Sequence, residues 1–127
     1  MKRAIVVLIL LSLVAAAGGC KKNEDILPPV RISFLNINPQ VIDGDETAFI
    51  SISVSNLGET SVLVKSLVDQ GVTNPSITYT TGNPVYIEYF PPAMDEGTKL
   101  EVIVTIIVTD HDGKELDRAD GRIMVNY

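Results

Sequence analysis

The sequence predicts an all-β chain: one sandwich of about seven antiparallel strands behind an N-terminal segment of a different kind. Three observations carry this. Apolar residues from Val30 onward recur with period two. Turn-forming residues punctuate the chain every ten to fifteen positions. No window shows a helical period, and seven half-apolar strands bury their faces by pairing two sheets.

Taken in order, Arg31 to Asn38 reads as the first strand, with Ser33, Leu35 and Ile37 on one side and Ile32 and Phe34 on the other. Asn38-Pro39 ends it, and Asp43-Gly44-Asp45-Glu46 is a polar turn. Thr47 to Leu57 alternates Ala48, Ile50, Ile52 and Val54 with Phe49, Ser51, Ser53 and Ser55, the pattern of a half-buried antiparallel strand. Asn56 to Glu59 turns the chain, and Ser61 to Asp69 follows with Val62, Val64 and Val68 on one side. Ser76 to Thr81 is a short strand after a loop with Gly71 and Asn74-Pro75. Val85 to Phe90 is rich in β-branched and aromatic residues. Pro91-Pro92 stops it, since proline cannot donate to a ladder. Lys99 to Asp110 is the strongest strand, with Leu100, Val102, Val104, Ile106 and Val108 facing one way. Asp110-His111-Asp112-Gly113 signals a hairpin, and Asp-Gly can supply the positive φ that such turns need. Glu115 to Tyr127 returns, with Ile123, Val125 and Tyr127 toward the core and Gly121 marking a bulge.

The first 19 residues follow a separate logic. Met1-Lys2-Arg3 is basic, Ala4 to Ala17 is apolar apart from Ser12, and small residues close the run. The run is short of the ~20 residues that span a bilayer. This order reads as a secretory signal. Ala17-Gly18-Gly19-Cys20 resembles the lipobox of bacterial lipoproteins, with Ala17 where that family usually has leucine. The resemblance implies cleavage after Gly19 and a diacylglyceryl group on Cys20, making the membrane a partner through the anchor. Each buried CH₂ is worth ~0.8 kcal/mol, so two or three acyl chains hold where one does not. Residues 20–30 then read as a charged tether, Lys21-Lys22-Asn23-Glu24-Asp25, stiffened by Pro28-Pro29. In lipoproteins an Asp directly after the Cys retains many of them in the inner membrane; Lys21 stands there instead, so the resemblance implies the outer membrane. The Lys-then-acidic order also resembles the export tag of some surface-displayed lipoproteins; a solvated spacer has the same composition.

With residues 1–19 removed, 108 remain, enough for one domain, residues 31–127, and not for two. Lys2 and Arg3 leave with the signal, so eight basic residues face sixteen acidic ones, a balance of −8. Such a surface argues against nucleic acid. Cys20 is the single cysteine, so the domain has no internal disulfide to lean on.

The later strands carry a second resemblance. Tyr89-Phe90-Pro91-Pro92, then Gly97, then Leu100 to Thr105, then Val108-Thr109-Asp110-His111-Asp112-Gly113 is similar to the closing strands of bacterial immunoglobulin-like modules of the PKD and cadherin kind. The resemblance implies an immunoglobulin-like sandwich, here without the paired cysteines and core tryptophan of antibody domains.

Little in the chain points to catalysis. His111 is the only histidine and sits in the hairpin; a Ser-His-Asp triad needs partners converging in space. Calcium needs six to eight oxygens. Asp110 and Asp112, with Asp43/Asp45 and Asp95/Glu96, are the candidates, although aspartate also favours turns by itself. Tyr79, Tyr86, Tyr89 and Phe90 are close in sequence, as core residues or as a glycan platform. Ile103 and Ile107 face away from Val104 and Val108, so they are core if another element covers them and a partner surface if exposed. The expected function is a non-enzymatic, lipid-anchored envelope protein acting as a binding or structural module, its partner another envelope protein or a glycan. A glycan-binding surface lipoprotein is the first alternative; calcium-dependent adhesion, and a small envelope hydrolase or inhibitor, are the others.

Overall fold

A computed structural model describes residues 28–127. The signal segment, Cys20 and most of the tether lie outside the described residues. Nine strands are present among them: β1 (Arg31–Asn38), β2 (Val41–Asp43), β3 (Ala48–Ser55), β4 (Val62–Val68), β5 (Val72–Asn74), β6 (Ile77–Thr80), β7 (Val85–Phe90), β8 (Lys99–Thr109) and β9 (Glu115–Asn126). They form a four-stranded sheet in the order β1-β3-β7-β5 and a five-stranded sheet in the order β2-β9-β8-β4-β6.

The all-β sandwich is as the sequence indicates, and the strand count corrects from about seven to nine. The two additions, β2 and β5, have three residues each and are too short to show a period. The expectation of purely antiparallel pairing is also corrected. β2 runs parallel to β9, Ile42 beside Val125. The chain passes from β1 in one sheet to β2 in the other, so a single N-terminal run borders both sheets.

The core is the meeting of two alternating stripes. Ala48, Ile50 and Ile52 of β3 and Ile87 and Tyr89 of β7 are fully buried against Val102, Val104, Ile106 and Val108 of β8, Val64 of β4 and Ile123 and Val125 of β9. Burial of apolar surface of this kind contributes about 25 cal/mol per Å² and is the main favourable term in folding. Two inward hydroxyls, Ser66 of β4 and Thr73 of β5, satisfy each other.

The faces of β1 depart from strict alternation. Its register against β3 shifts between Ile32 and Phe34, so Ser33 is the extra residue of a bulge. Ile32 therefore joins Leu35 and Ile37 on the core side, and Phe34 faces solvent. Gly121 is not a bulge: it pairs in phase with Val104. The register shift of this hairpin lies between Val108 and Thr109. Gly121 instead admits β1, because a Cβ there would lie 2.5 Å from Ile37 Cδ1.

Side chains complete the hydrogen bonding where ladders end. The Ile32 amide of edge strand β1 donates to Asp117 Oδ2 at 2.8 Å. Past the end of β4, the Ile103 amide donates to Asp69 Oδ1 at 3.0 Å. The buried Tyr89 hydroxyl donates to Gln70 O at 2.8 Å. Gly71 (φ 87°) takes the next step of that turn, and a Cβ there would meet Phe90 O at 2.5 Å.

Two stability measurements follow. Gly121→Ala costs about 1–3 kcal/mol by overpacking against Ile37. Ile37→Val, which deletes Cδ1, makes Gly121→Ala cheaper in a double-mutant denaturation cycle. Burial, helped by the nearby Tyr127 and Asp69 charges, pushes the Tyr89 hydroxyl up from 10 to about 12. The folded state thus holds that proton more tightly than the unfolded one. The corresponding stability is full below pH 10 and is lost as pH rises through about 12. Tyr89→Phe removes that part of the alkaline unfolding transition and costs about 1 kcal/mol at neutral pH.

Candidate functional site

Strand alternation decides what each outer face displays. On the four-stranded sheet, β3 projects Phe49, Ser51, Ser53 and Ser55, and β7 projects Tyr86, Glu88 and Phe90. β1 adds Phe34, Asn36 and Asn38, and β5 adds Val72 and Asn74. Tyr86 is 67% exposed, Phe34 53% and Phe49 52%. Phe49 lies opposite Glu88 in the ladder, so its diagonal neighbours on β7 are Tyr86 and Phe90. Diagonal positions are about 7–8 Å apart and within reach of aromatic side chains. Tyr86, Phe49 and Phe90 thus make a strip along the strands, with Val72 beside Phe90 and Phe34 at the other end.

This face is nearly free of charge. Of the chain's sixteen acidic residues, only Glu88 projects from it among the described residues, where it accepts from Thr47 Oγ1 at 3.0 Å. Arg31 stands at its margin, opposite Ser55.

The five-stranded sheet is different. Its outer face carries Tyr79 and Ile77 of β6, Leu63, Lys65 and Leu67 of β4, and Ile103, Thr105 and Ile107 of β8. β9 adds a charged row: Arg118 pairs with Glu115, and Arg122 with Glu101 at 3.0 Å. Both expected isoleucines stand here, Ile103 exposed and Ile107 half-buried, so neither belongs to the core. Tyr86 is on the opposite side of the molecule, and the three expected binding residues do not form one surface.

The tyrosines also separate. Tyr89 is core, Tyr79 faces out from the five-stranded sheet, and Tyr86 faces out from the four-stranded one. The partners of Tyr86 are Phe34 and Phe49, which sequence reading passed over. Their shared face follows from the β1-β3-β7 register, and no local pattern reports register.

Acidic residues collect at the end of the sandwich where β9 finishes. Asp43, Asp45 and Glu46 each bring a carboxylate oxygen within 4.8 Å of the others. Glu46 Oε1 accepts from the Asp43 amide at 2.8 Å. Asp43, Asp45 and Glu96 line an open depression of about 400 Å³ with Met94, Asn126 and Tyr127. The Asp43 carboxyl is held above the usual range, chiefly by the Glu46 charge, then by desolvation, a hydrogen bond with Glu46 and the Asp45 charge. Asp110 and Asp112 lie at the opposite end, in the β8–β9 hairpin. There Asp110 Oδ1 accepts from the Asp112 and Lys114 amides, both at 2.9 Å, and shapes the turn. The structure does not bring Asp110 and Asp112 to the acidic cluster.

His111 stacks on Tyr79, ring centroids 5.8 Å apart, and its Nε2 lies 2.8 Å from Ser61 Oγ. A hydroxyl and an imidazole in contact are two parts of a nucleophilic site. This pair is on the hairpin end, away from the open depression. It staples the β3–β4 loop, β6 and the hairpin together.

No family model matches the sequence, and no curated protein matches it. Solved structures do. The Salmonella enterica SafA pilin in complex with the SafB chaperone aligns with TM-score 0.57 and 12% identity, over 73% of this chain and 54% of that chain. The CsuC–CsuE chaperone–tip adhesion subunit complex of Acinetobacter baumannii pili gives 0.55 and 11%, over 74% and 52%. The E. coli chaperone DraB gives 0.51 and 12%, over 75% and 54%. The fold is an immunoglobulin-like β-sandwich. The chain spans about half the length of these structures, and the likeness is one of fold.

The acidic end generates a stability prediction. Because the folded state binds a proton at Asp43 more tightly than the unfolded state, the charged carboxylate lowers stability once pH rises above its raised pKa. Asp43→Asn therefore raises the melting temperature at neutral pH. The gain disappears in melts run below the ordinary carboxylate pKa.

Proposed function

We propose that the chain is a non-enzymatic binding module of the bacterial cell envelope, held in the outer membrane by diacylglyceryl on Cys20 and meeting its partner with the outer face of the four-stranded sheet. The observation that supports this most is the exposure of Phe34, Phe49 and Tyr86 together on a face that carries almost no charge. Large exposed aromatic groups on one face mark an interaction surface. The SafA pilin in complex with the SafB chaperone and the CsuC–CsuE complex support the reading that a sandwich of this fold can serve in binding.

The direction of the tether suits the reading. The described chain enters at Pro28, where Asn56 Nδ2 donates to Pro29 O at 2.9 Å, at the end of the sandwich that holds the β8–β9 hairpin. Seven residues separate Cys20 from Pro28, and the eight steps between the two reach at most about 29 Å. An anchor on Cys20 therefore attaches the domain by its hairpin end, and the acidic end is the one farther from the point of attachment.

Anchor and face are tested in the cells that make the protein. Cys20→Ser releases the domain from the outer-membrane fraction; a variant still processed and membrane-bound refutes the anchor. A photo-crosslinking benzoylphenylalanine in place of Ser51 yields adducts with the full-length chain. Adducts formed only from Asp120, on the other sheet, or from neither position overturn the assignment of the face.

A further inference from the structure

The outer face of the four-stranded sheet has a chemistry that selects among partners, and we infer that it takes a neutral polysaccharide chain. The inference rests on the binding-face reading above and adds the class of ligand. Three features bear on it.

The first is the row of rings. Tyr86, Phe49 and Phe90 follow one another as diagonal neighbours, and Phe34 stands further along the same face. Ring faces are apolar and carry a directional quadrupole, so they accept the C–H faces of sugar rings in a stacked arrangement. A strip along the strands matches an extended chain better than a compact ligand.

The second is what flanks the rings. Asn36 and Asn38 on β1 and Asn74 on β5 are exposed on the two sides of the strip, with Ser51 and Ser53 between the rings of β1, β3 and β7. An apolar or lipid partner would strip water from these amides and hydroxyls without replacing their hydrogen bonds, which costs free energy. The centres of protein interfaces also favour tyrosine and phenylalanine but disfavour serine, so the hydroxyls lying between the rings, and not the rings themselves, set a polyhydroxylated partner apart from a protein. A polyhydroxylated chain offers donors and acceptors along its whole length, so amides and rings are both used.

The third is charge. The chain has a net charge of −6, yet among the described residues this face holds one carboxylate, already bonded to Thr47, and one cation at its edge. The acidic residues are displaced to the sandwich ends and to β9. An anionic polysaccharide meets repulsion from the molecule as a whole and no cationic row on this face. An uncharged one is the complement of a neutral surface. The five-stranded sheet, with its Arg118–Glu115 and Arg122–Glu101 pairs, lacks this character.

The test uses the mature lipoprotein purified in detergent and run by affinity electrophoresis through gels containing hydroxyethylcellulose, xylan, mannan, amylose or dextran, with hyaluronan as the anionic control. At least one neutral polymer retards the protein, and hyaluronan does not. Phe49→Ala with Tyr86→Ala weakens the retardation about tenfold or more, as expected when stacked hot-spot rings are removed. Ile103→Ala, on the other sheet, leaves it unchanged, and equal melting temperatures show that the variants are folded. Absence of retardation by every neutral polymer, or retardation indifferent to Phe49 and Tyr86, overturns the inference. The Ser51 cross-link separates the two levels of failure. A protein adduct there rejects the polysaccharide but keeps the binding face; no adduct there rejects both.

Discussion

Everything in this molecule depends on two strands turning their aliphatic stripes toward each other. Ala48, Ile50 and Ile52 of β3 and Val102, Val104, Ile106 and Val108 of β8 are fully buried, and they hold the centres of their respective sheets. With no disulfide to supplement it, that contact fixes the register of every neighbouring strand, because a one-residue slip would send an entire stripe into water. The outer faces inherit their composition from the same phase. Phe49 and Tyr86 face solvent because Ile50 and Ile87 do not.

The readable parts of the sequence were those where one strand declares its own phase. β3 and β8 alternate without a break, so their buried residues can be named from the sequence. The hairpin at Asp110 to Gly113 is equally local, and Gly113 supplies the positive φ that the turn needs. What stayed hidden required knowledge of a partner strand. The bulge at Ser33 reverses half of β1, and nothing in Arg31 to Asn38 announces it. Gly121 looked like a bulge because glycine weakens a strand; its role is to make room for Ile37, which is 84 positions away in the chain. β2 is held by a parallel pairing that three residues cannot advertise. The candidate site is hidden for the same reason. Phe34, Phe49 and Tyr86 come from three strands, and only the register places them on one face.

The two outer faces divide the surface chemistry between them. One holds rings, amides and hydroxyls with little charge; the other mixes aliphatic side chains with paired charges along β9. Most of the remaining carboxylates are at the sandwich ends, where loops accept them and where Asp43, Asp45 and Glu46 crowd one another. This sorting leaves one sheet face electrically quiet on an acidic molecule. His111 and Tyr79, prominent in the sequence, act as a clamp between loops.

The bond from Asp117 to the Ile32 amide also has a mechanical side. A pull on the N-terminus runs along β1, parallel to its own axis. Such a load shears the β1–β3 ladder, so its hydrogen bonds resist together and do not open one after another. Asp117 ties the start of that strand to β9 in the other sheet, and Asn56 ties Pro29 just before it. Tension is thereby shared between both sheets at the first residues of the domain, before it reaches the core.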